Sequence, residues 1–301
     1  MEKQKPFYYG GQAVIEGVMM RGRENLAIAV RRPDGEIDIK AQPLSELYIG
    51  KLRQAPFIRG IIVLIETMAL GISALLHSAN VALEEEEQEK TTSAMLWGSV
   101  IVGMVIAVAV FFVLPLLLTR YLIDPYIESA LLSNILEGLI RIIMFILYLW
   151  SINFMSDIRR VFEYHGAEHK VVNAYEAGVP LEVEAIKKYS TAHARCGTNF
   201  LLVVLLLSII VFALFGRPDM WLSILSRIIL IPVIAALGYE FIRFGGAHMH
   251  NPIVHILLIP GLLLQAMTTR EPDDNQIEIA VAALKKVVEA DNSKQLSFNS
   301  F

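Results

Sequence analysis

Uninterrupted apolar runs set the framework of this chain. The clearest run extends from Ala94 to Leu118 and contains no charged residue in 25 positions. At a rise of about 1.5 Å per residue, a helix of about 20 apolar residues crosses the ~30 Å hydrocarbon core of a bilayer. This run therefore predicts a membrane-crossing helix.

Further apolar runs follow at Leu131–Met155, Phe200–Phe215, Trp221–Ile242 and Asn251–Met267. The first of these carries Glu137 and Arg141, which lie four apart on one helical face, so we expect them to pair inside a bundle. The last contains Pro260 and Gly261, and either a kinked crossing or a turn back would accommodate them. Residues 94–267 are predicted to form a bundle of four to five transmembrane helices.

An apolar segment that precedes these runs is interrupted by polar side chains. Residues 57–82 contain Arg59, Glu66 and His77, and a charge at the centre of a bilayer costs ~2.5–3.5 kcal/mol. We therefore expect an interfacial or partly inserted helix here, followed by an acidic linker that ends near residue 93.

The two ends of the chain are more polar than the middle. Residues 1–56 alternate apolar and polar side chains around Pro33, Asp34 and Gly35, which predicts a β-hairpin within a small β-rich unit. Residues 268–301 predict a C-terminal amphipathic helix, because acidic residues come first and lysines come late, as the helix dipole favours.

Lysine and arginine are unevenly distributed among the connections. They are frequent before the first apolar run and in the connection 156–199, whereas 119–130 and 216–220 have one each. Basic residues accumulate on the cytoplasmic side of a membrane. The predicted fold class is therefore a mainly α membrane protein whose N-terminal β-rich unit and connection 156–199 are cytoplasmic.

Composition agrees with a membrane protein. The chain is 55% hydrophobic and only 19% charged, with a mean hydropathy of +0.52, whereas soluble domains carry about 25% charged residues. The net charge of -4 provides no global basic field, which argues against nucleic acid as a partner. The single cysteine, Cys196, excludes an intrachain disulfide and fits a reducing compartment.

Two histidines and a glutamate are concentrated in the segment EYHGAEHK, residues 163–170. In a helix, His165 and His169 lie one turn apart on one face, so two imidazoles could share one metal ion with Glu168 beside them. The string H-x-x-E-H inverts H-E-x-x-H, in which the glutamate is the general base of a zinc enzyme. The alternative is a polar helix face with hydrogen-bonded histidines.

A second group of candidate ligands, in TAHARC, lies in the same connection just before the run that starts at Phe200. A catalytic zinc takes three protein ligands and keeps one position open, so His193 or Cys196 is predicted as the third ligand. Arg195 is predicted to steady developing negative charge. The alternative for Cys196 is a buried apolar cysteine at a helix end.

Two further segments offer weaker candidates. His248 and His250, in GGAHMH, fall at the same predicted membrane face as the other histidines. Glu16 lies in the glycine-rich segment GGQAVIEGVMMRG, where glycine permits the close backbone approach that a ligand-gripping loop needs. Ordinary tight turns are the alternative for this segment.

Four motifs, in this order, resemble the YqhQ-like family of bacterial membrane proteins: GGQAVIEGVMMRG, EYHGAEHKVVNAYEAG, TAHARCGTNFL and PGLLLQAMTTREPDDNQIEIAVAAL. The resemblance covers nearly the whole chain. Members of this family are labelled predicted metal-dependent enzymes. The resemblance therefore implies a metal at residues such as His165, Glu168, His169, His193 and Cys196, but it implies neither a substrate nor a reaction.

These observations predict a multi-pass protein of the bacterial inner membrane with a divalent metal, zinc by its ligand types, at the cytoplasmic face. It would hydrolyse a membrane-associated substrate, with Glu168 orienting or deprotonating the attacking water. Its partners would be the lipid bilayer and an unknown membrane-associated substrate or protein. The alternative is a non-catalytic membrane scaffold, assembly factor or transporter component, which the Glu137–Arg141 pair would fit equally well.

Overall fold

The described residues of the computed structural model are mainly helical, and they are 7–50, 53, 55–84, 87–88, 91–193, 195–248 and 251–298. The strands are β1 (Gly10–Val14), β2 (Gly17–Arg21), β3 (Asn25–Arg31) and β4 (Ile37–Pro43). The helices are α1 (Glu46–Ile49), α2 (Ile58–Val81), α3 (Ser93–Tyr126), α4 (Ala130–Ile152), α5 (Ser156–Glu176), α6 (Val183–Ile186), α7 (Gly197–Ala213), α8 (Met220–Ile229), α9 (Ile231–Ala247), α10 (Pro252–Gln265) and α11 (Asp274–Phe298).

The strands form one antiparallel sheet in the order β1-β2-β3-β4, so each strand pairs with its neighbour in sequence. The predicted hairpin is confirmed, because β3 pairs with β4 from Arg31↔Ile37 to Asn25↔Pro43. Gly35, in the turn between these strands, has a φ of 88°, a conformation that glycine adopts without steric cost. The N-terminal region is therefore the small β-rich unit that its alternating pattern predicts.

Both faces of this sheet are covered by helices. Val18 and Met20 of β2 point to one face and pack in a cluster with residues of α5 and α11. Met19 points to the opposite face and packs in a cluster that includes Ala74 of α2, since successive strand residues alternate between faces. The sheet is therefore the middle layer of three, with α2 on one side and α5 with α11 on the other.

The predicted C-terminal helix is confirmed, and its first turn ties it to α5. Asp273 accepts a hydrogen bond from the Gln276 backbone N–H at 2.8 Å, and the Gln276 side chain accepts one from the Asp273 N–H at 2.9 Å, a reciprocal cap. The Gln276 amide also donates to Glu163 of α5 at 2.8 Å. This contact fixes α11 against the helix that carries the candidate ligands.

Among the residues that the structure describes, three helices are long and apolar enough to cross a membrane, namely α2, α3 and α4. The number is up to four if α8 and α9, which are bent by 42° at the break between them, count as one span. The helix α7 is apolar but has 17 residues. The sequence predicts four to five spans from residues 94–267, so the structure provides fewer full-length helices than apolar runs.

Contacts at their ends align these apolar helices. The predicted pairing of Glu137 with Arg141 in α4 is confirmed, at 2.6 Å. At one end of the bundle, Arg217 lies 3.2 Å from Asp124, which joins the connection that follows α7 to the last turn of α3. At the other end, Asn153 donates to the Met267 carbonyl at 2.9 Å. The second end faces the sheet and α5.

Candidate metal centre

Three potential metal ligands converge where α5 meets the start of α7. The ligand atoms of His165, His169 and Cys196 all lie within 4.8 Å of one another. The Cys196 Sγ lies 3.3 Å from His165 Nε2, and the two imidazole ring centres are 4.4 Å apart. The predicted helical spacing of the two histidines is confirmed, because α5 runs continuously through both.

Both imidazoles are oriented by backbone carbonyls. His165 Nδ1 lies 2.8 Å from the Thr268 oxygen, and His169 Nδ1 lies 2.6 Å from the Thr191 oxygen. A carbonyl oxygen can only accept, so each Nδ1 carries the proton and donates it. The Nε2 atoms are the ones that point into the cluster, and each presents a lone pair to a metal once it carries no proton. This is the arrangement by which metal-bound histidines are usually held.

Cys196 is held at a helix N-terminus. It precedes the first residue of α7, and its sulfur accepts a hydrogen bond from the Thr198 N–H at 3.4 Å. Burial opposes ionisation of this thiol, but hydrogen bonds from His165 and His169, together with their charge, outweigh it and lower the pKa of Cys196 to about 4. Cys196 is therefore a thiolate at neutral pH, the form that binds metals.

Glu168 lies at the edge of the cluster and is almost fully buried. One carboxylate oxygen lies 3.4 Å from His169 Nε2, and the other accepts the Gly11 N–H of β1 at 2.8 Å. Burial disfavours the charged form of His169, but the Glu168 carboxylate and the Cys196 sulfur outweigh it and raise the pKa of His169 to about 9. The carboxylate is therefore close enough to exchange a proton with the cluster.

A glycine in α5 lets another segment approach the site closely. A Cβ on Gly166 would lie 1.9 Å from the Arg270 carbonyl oxygen, and the Arg270 N–H donates to the Phe162 carbonyl at 2.9 Å. Any larger side chain would push this segment away. Because the segment includes Thr268, Gly166 is what allows the Thr268 carbonyl to reach His165.

His193 and Arg195 lie beside the cluster but face a different carboxylate. The His193 ring centre is 5.6 Å from that of His169, yet its Nε2 lies 3.8 Å from Glu176. Burial and the charges of Arg195 and His169 lower the pKa of His193 to about 3, so it is neutral. Arg195 forms an ion pair with Glu176 and stacks 4.1 Å above the Tyr8 ring. These groups form the rim of the site.

The remaining sequence candidates lie elsewhere. Glu16, at a positive φ of 51° between β1 and β2, forms an ion pair with Arg160 and accepts from the Tyr164 hydroxyl at 3.3 Å. His248 ends α9, where its Nδ1 lies 2.9 Å from the Phe244 carbonyl oxygen. His250 is outside the described residues. Among the described candidates, the ligand atoms that converge are those of His165, His169 and Cys196.

Sequence reasoning missed the groups that orient the cluster. These groups lie at positions that have no signature of their own in the sequence. They are the carbonyls of Thr191 and Thr268, the Gly11 N–H, and Glu176 at the rim. Gly166 was visible, because glycine is unfavourable inside a helix and it interrupts EYHGAEHK between the two histidines. A glycine at that place could have indicated a close approach of backbone.

The donor set fits a divalent metal. One thiolate and two imidazoles, of which His169 must lose a proton to bind, are ligands that zinc accepts, and two ligands of a tetrahedral ion with bonds of ~2.0–2.3 Å lie about 3.3–3.8 Å apart. The 3.3 Å separation of Cys196 Sγ and His165 Nε2 agrees with that spacing. Three protein ligands with a carboxylate nearby also leave room for a fourth, exchangeable ligand.

Comparison with known proteins places these residues in a family. The family described as "Protein of unknown function (DUF1385)" matches residues 55–290, a range that contains every ligand of the cluster. The chain is also similar to "Uncharacterized protein YqhQ" of Bacillus subtilis (strain 168), with 33% identity over 302 residues, 96% of this chain and 95% of that protein. No solved structure matches. The resemblance seen in the four sequence motifs is confirmed.

Proposed function

We propose that this chain, which belongs to the DUF1385 family, is a multi-pass membrane protein that binds a divalent metal through His165, His169 and Cys196. Zinc is the best match to one sulfur and two nitrogen donors. We further propose that the site hydrolyses a membrane-associated substrate. The lysine and arginine distribution favours placing the site on the cytoplasmic side of a bacterial inner membrane.

One observation carries the proposal: three coordinating atoms converge within 4.8 Å, and each imidazole is already held by a backbone carbonyl. A structural histidine in a core needs one partner for each ring nitrogen, but it does not need both second nitrogens to converge with a sulfur. Here, both Nε2 atoms and the sulfur face the same point. A group of ligands that is oriented before the metal arrives is what a dedicated site requires.

The chain supplies the groups that a hydrolytic site needs. A metal held by this cluster would polarise a carbonyl or phosphoryl group and lower the pKa of water. Glu168 can accept a proton at the oxygen that lies 3.4 Å from His169 Nε2, while its other oxygen is fixed by Gly11. Arg195 at the rim can attract an anionic substrate, although it must leave Glu176 to contact one.

The position of the cluster indicates the class of substrate. Cys196 immediately precedes α7, an apolar helix, and His165 contacts the segment that follows α10. The ligands therefore lie at the boundary between the polar layers and the apolar helices. A substrate with a polar group at the membrane surface, such as a lipid-linked molecule or a membrane protein segment, could reach this boundary without leaving the bilayer.

The metal site is tested by elemental analysis of the full chain purified without added metal. We expect about one transition metal per chain, lost in His165→Ala, His169→Ala and Cys196→Ser. His248→Ala is the matched control, because it removes an exposed histidine outside the cluster and should retain the metal. Each variant is checked for folding by size-exclusion chromatography. A folded wild-type protein that binds no metal at micromolar zinc would contradict the proposal.

The hydrolytic role is tested separately with Glu168→Gln. This variant keeps the side-chain length, so we expect it to retain metal but not to complement a deletion of the gene in cells. The conservative variant Arg195→Lys should complement partially. Full complementation by Glu168→Gln would exclude a proton-transfer role and leave a binding site without hydrolysis.

A second function, a scaffold or assembly factor, is favoured by the first half of α3. None of the side chains of Ser93–Val108 is buried, so this apolar segment is available to neighbouring membrane proteins. A scaffold of this kind would tolerate loss of the metal ligands. Complementation by His169→Ala, combined with failure when Ser93–Val108 is replaced by a generic leucine-rich helix, would favour this function over hydrolysis.

A further inference from the structure

The helix α2 carries exposed apolar side chains on its outer face and charged side chains on its inner face. A helix on the surface of a soluble protein shows the reverse. Its outer face is a stripe of exposed apolar side chains at helical spacing, Ile58, Ile61, Ile65, Met68 and Leu75, which are 36–50% exposed. Its charged side chains all lie on the inner face. A helix in water would present these groups the other way round.

The inner face of α2 packs along the polar sheet. Glu66 accepts from Arg21 Nε at 3.0 Å, and the side chain of Gln12 lies against Gly71. Ala74 lies in the core of the sheet, and the Ser78 hydroxyl accepts the Ile15 N–H at 3.2 Å. Contacts with the sheet therefore extend from Glu66 to Ser78.

These contacts exclude an upright crossing. Residues 66–78 cover about 18 Å at the helical rise, and all of this length lies beside a sheet whose β3–β4 end exposes Arg32, Asp34 and Lys40. Only residues 58–65, about 10 Å, extend beyond it. A crossing needs about 30 Å. The length and composition of α2 are therefore not sufficient evidence that this helix crosses the membrane.

The apolar stripe nevertheless continues over the part that packs on the sheet. Met68 and Leu75 are 45% and 37% exposed, on the side of the helix away from the sheet. The start of α2 contacts an apolar helix: Gly60 packs against Ala236 of α9, and Arg59 Nε donates to Glu240 at 2.6 Å. The stripe is thus continuous with the surface of the apolar bundle.

We propose that α2 lies in the plane of the membrane surface, with Ile58, Ile61, Ile65, Met68 and Leu75 in the lipid and its inner face carrying the sheet. The occupant of the stripe is the bilayer itself, because the stripe continues the lipid-facing surface of the bundle. Interfacial helices bind membranes through such a buried apolar face. The inference is independent of the metal site, and it fixes the polar layers against the membrane surface.

Two arginines lie beside Glu66 at the inner face of α2, the helix that we place at the membrane surface. Arg21 and Arg53 both pair with the carboxylate of Glu66, and both side chains are partly exposed. Polybasic groups beside a membrane are attracted to anionic lipids.

The proposal is tested by the depth of single cysteines in the full chain, reconstituted into vesicles of phosphatidylcholine and phosphatidylglycerol. Ile61→Cys, Met68→Cys and Leu75→Cys are labelled with a fluorophore and quenched by lipids that carry a nitroxide near the headgroup or near the chain end. We expect equal quenching of all three, strongest with the shallow nitroxide. Val105→Cys in α3 is the deep control and Asp34→Cys the aqueous one; unsubstituted protein reports any labelling of the buried Cys196.

Other outcomes overturn the proposal. Deep quenching at Ile61 that falls to none at Leu75 would mean an upright helix. Uniform protection from both nitroxides, with a dimer in solution, would mean that a second copy covers the stripe. An impermeant thiol reagent provides an independent measurement: Ser45→Cys and Glu84→Cys, on either side of α2, must react from the same side of the membrane, and Tyr126→Cys from the other.

Discussion

Two of the buried polar clusters among the described residues are built differently. In the apolar bundle, the carboxylate of Glu137 accepts from Arg141 at 2.6 Å and from Arg227 at 2.5 Å. The remaining donors are also engaged: Arg141 donates to the Phe111 carbonyl at 3.0 Å and to Ser208 at 3.2 Å. Within the described residues, every charge in this cluster is directed at another group of the protein.

The cluster beside the sheet is arranged around a shared point instead. Its backbone contacts, from the Thr191 and Thr268 carbonyls, engage only one nitrogen of each imidazole. The other nitrogen of each ring and the sulfur of Cys196 face one another. In the first cluster, the polar groups bond to other groups of the protein. In the second, the ligand atoms point toward a common centre.

The difference indicates how each cluster contributes to the molecule. An ion network in which every charge is paired holds helices in register. Removal of one member leaves an uncompensated buried charge, which destabilises the protein. A converging set of lone pairs contributes little by itself and gains free energy when a cation arrives. We therefore expect the first cluster to determine folding and the second to determine ligand binding.

The largest effect is expected from Glu137→Gln. It leaves Arg141 and Arg227 as uncompensated charges between apolar helices, which should lower the free energy of unfolding by about 3–5 kcal/mol. Denaturant unfolding in detergent measures this, with the exposed Glu128→Gln as control. The metal content of the folded fraction should not change. A loss below about 1 kcal/mol, the value of a surface pair, would contradict the structural role of this cluster.

Metal binding should stabilise the folded chain through the cluster of His165, His169 and Cys196. Zinc at about 100 times its dissociation constant should raise the free energy of unfolding by ~2.7 kcal/mol. The increment should disappear in His169→Ala and persist in Glu137→Gln. The measurement is the midpoint of unfolding with and without zinc. An increment that survives in His169→Ala would mean that the metal stabilises the chain through other residues.

A smaller effect is expected from Gly166→Ala. The added Cβ meets the Arg270 carbonyl oxygen, and overpacking of this kind costs about 1–3 kcal/mol. Displacement of Thr268 should also lower zinc affinity about 10–100-fold, as loss of an orienting partner does. Gly98→Ala, where nothing lies within 4 Å of the new Cβ, is the control. Unchanged affinity would show that the Thr268 carbonyl does not orient His165.

A further effect is the pH dependence of the metal-free cluster. The pKa of Cys196 is about 4 in the folded chain, against an ordinary 9.0, so its stabilising contribution is complete above pH 9 and is lost as pH falls through 4. The pKa of His169 is about 9, against 6.5, so its contribution is complete below pH 6.5 and is lost as pH rises through 9.

Two measurements follow from these opposite signs. The difference in unfolding free energy between wild type and Cys196→Ser should shrink as pH falls from 7 toward 4. Zinc binding at pH 7 should release about one proton, chiefly from His169, and its affinity should rise with pH toward 9. Isothermal titration in two buffers of different ionisation enthalpy counts the protons. No release would mean that His169 is neutral before zinc binds.

Local geometry made much of this molecule predictable. Helical spacing placed His165, Glu168 and His169 together and paired Glu137 with Arg141, because residues four apart on a helix are neighbours whatever surrounds them. The β3–β4 hairpin and the Asp273 cap follow from turn and capping chemistry within a few residues. The positions of the long apolar helices follow from hydropathy alone.

Long-range packing decided the rest. Cys196 meets His165 across 31 residues, and Arg227 joins Glu137 across 90, and no local period records either meeting. The sequence also does not reveal which carbonyls orient the histidines, because every residue has a backbone carbonyl. The hydropathy of α2 fits a crossing as well as an interface. Its charged residues favour an interface, and its contacts with the sheet support the in-plane arrangement that we propose, since they occupy the length that a crossing would need.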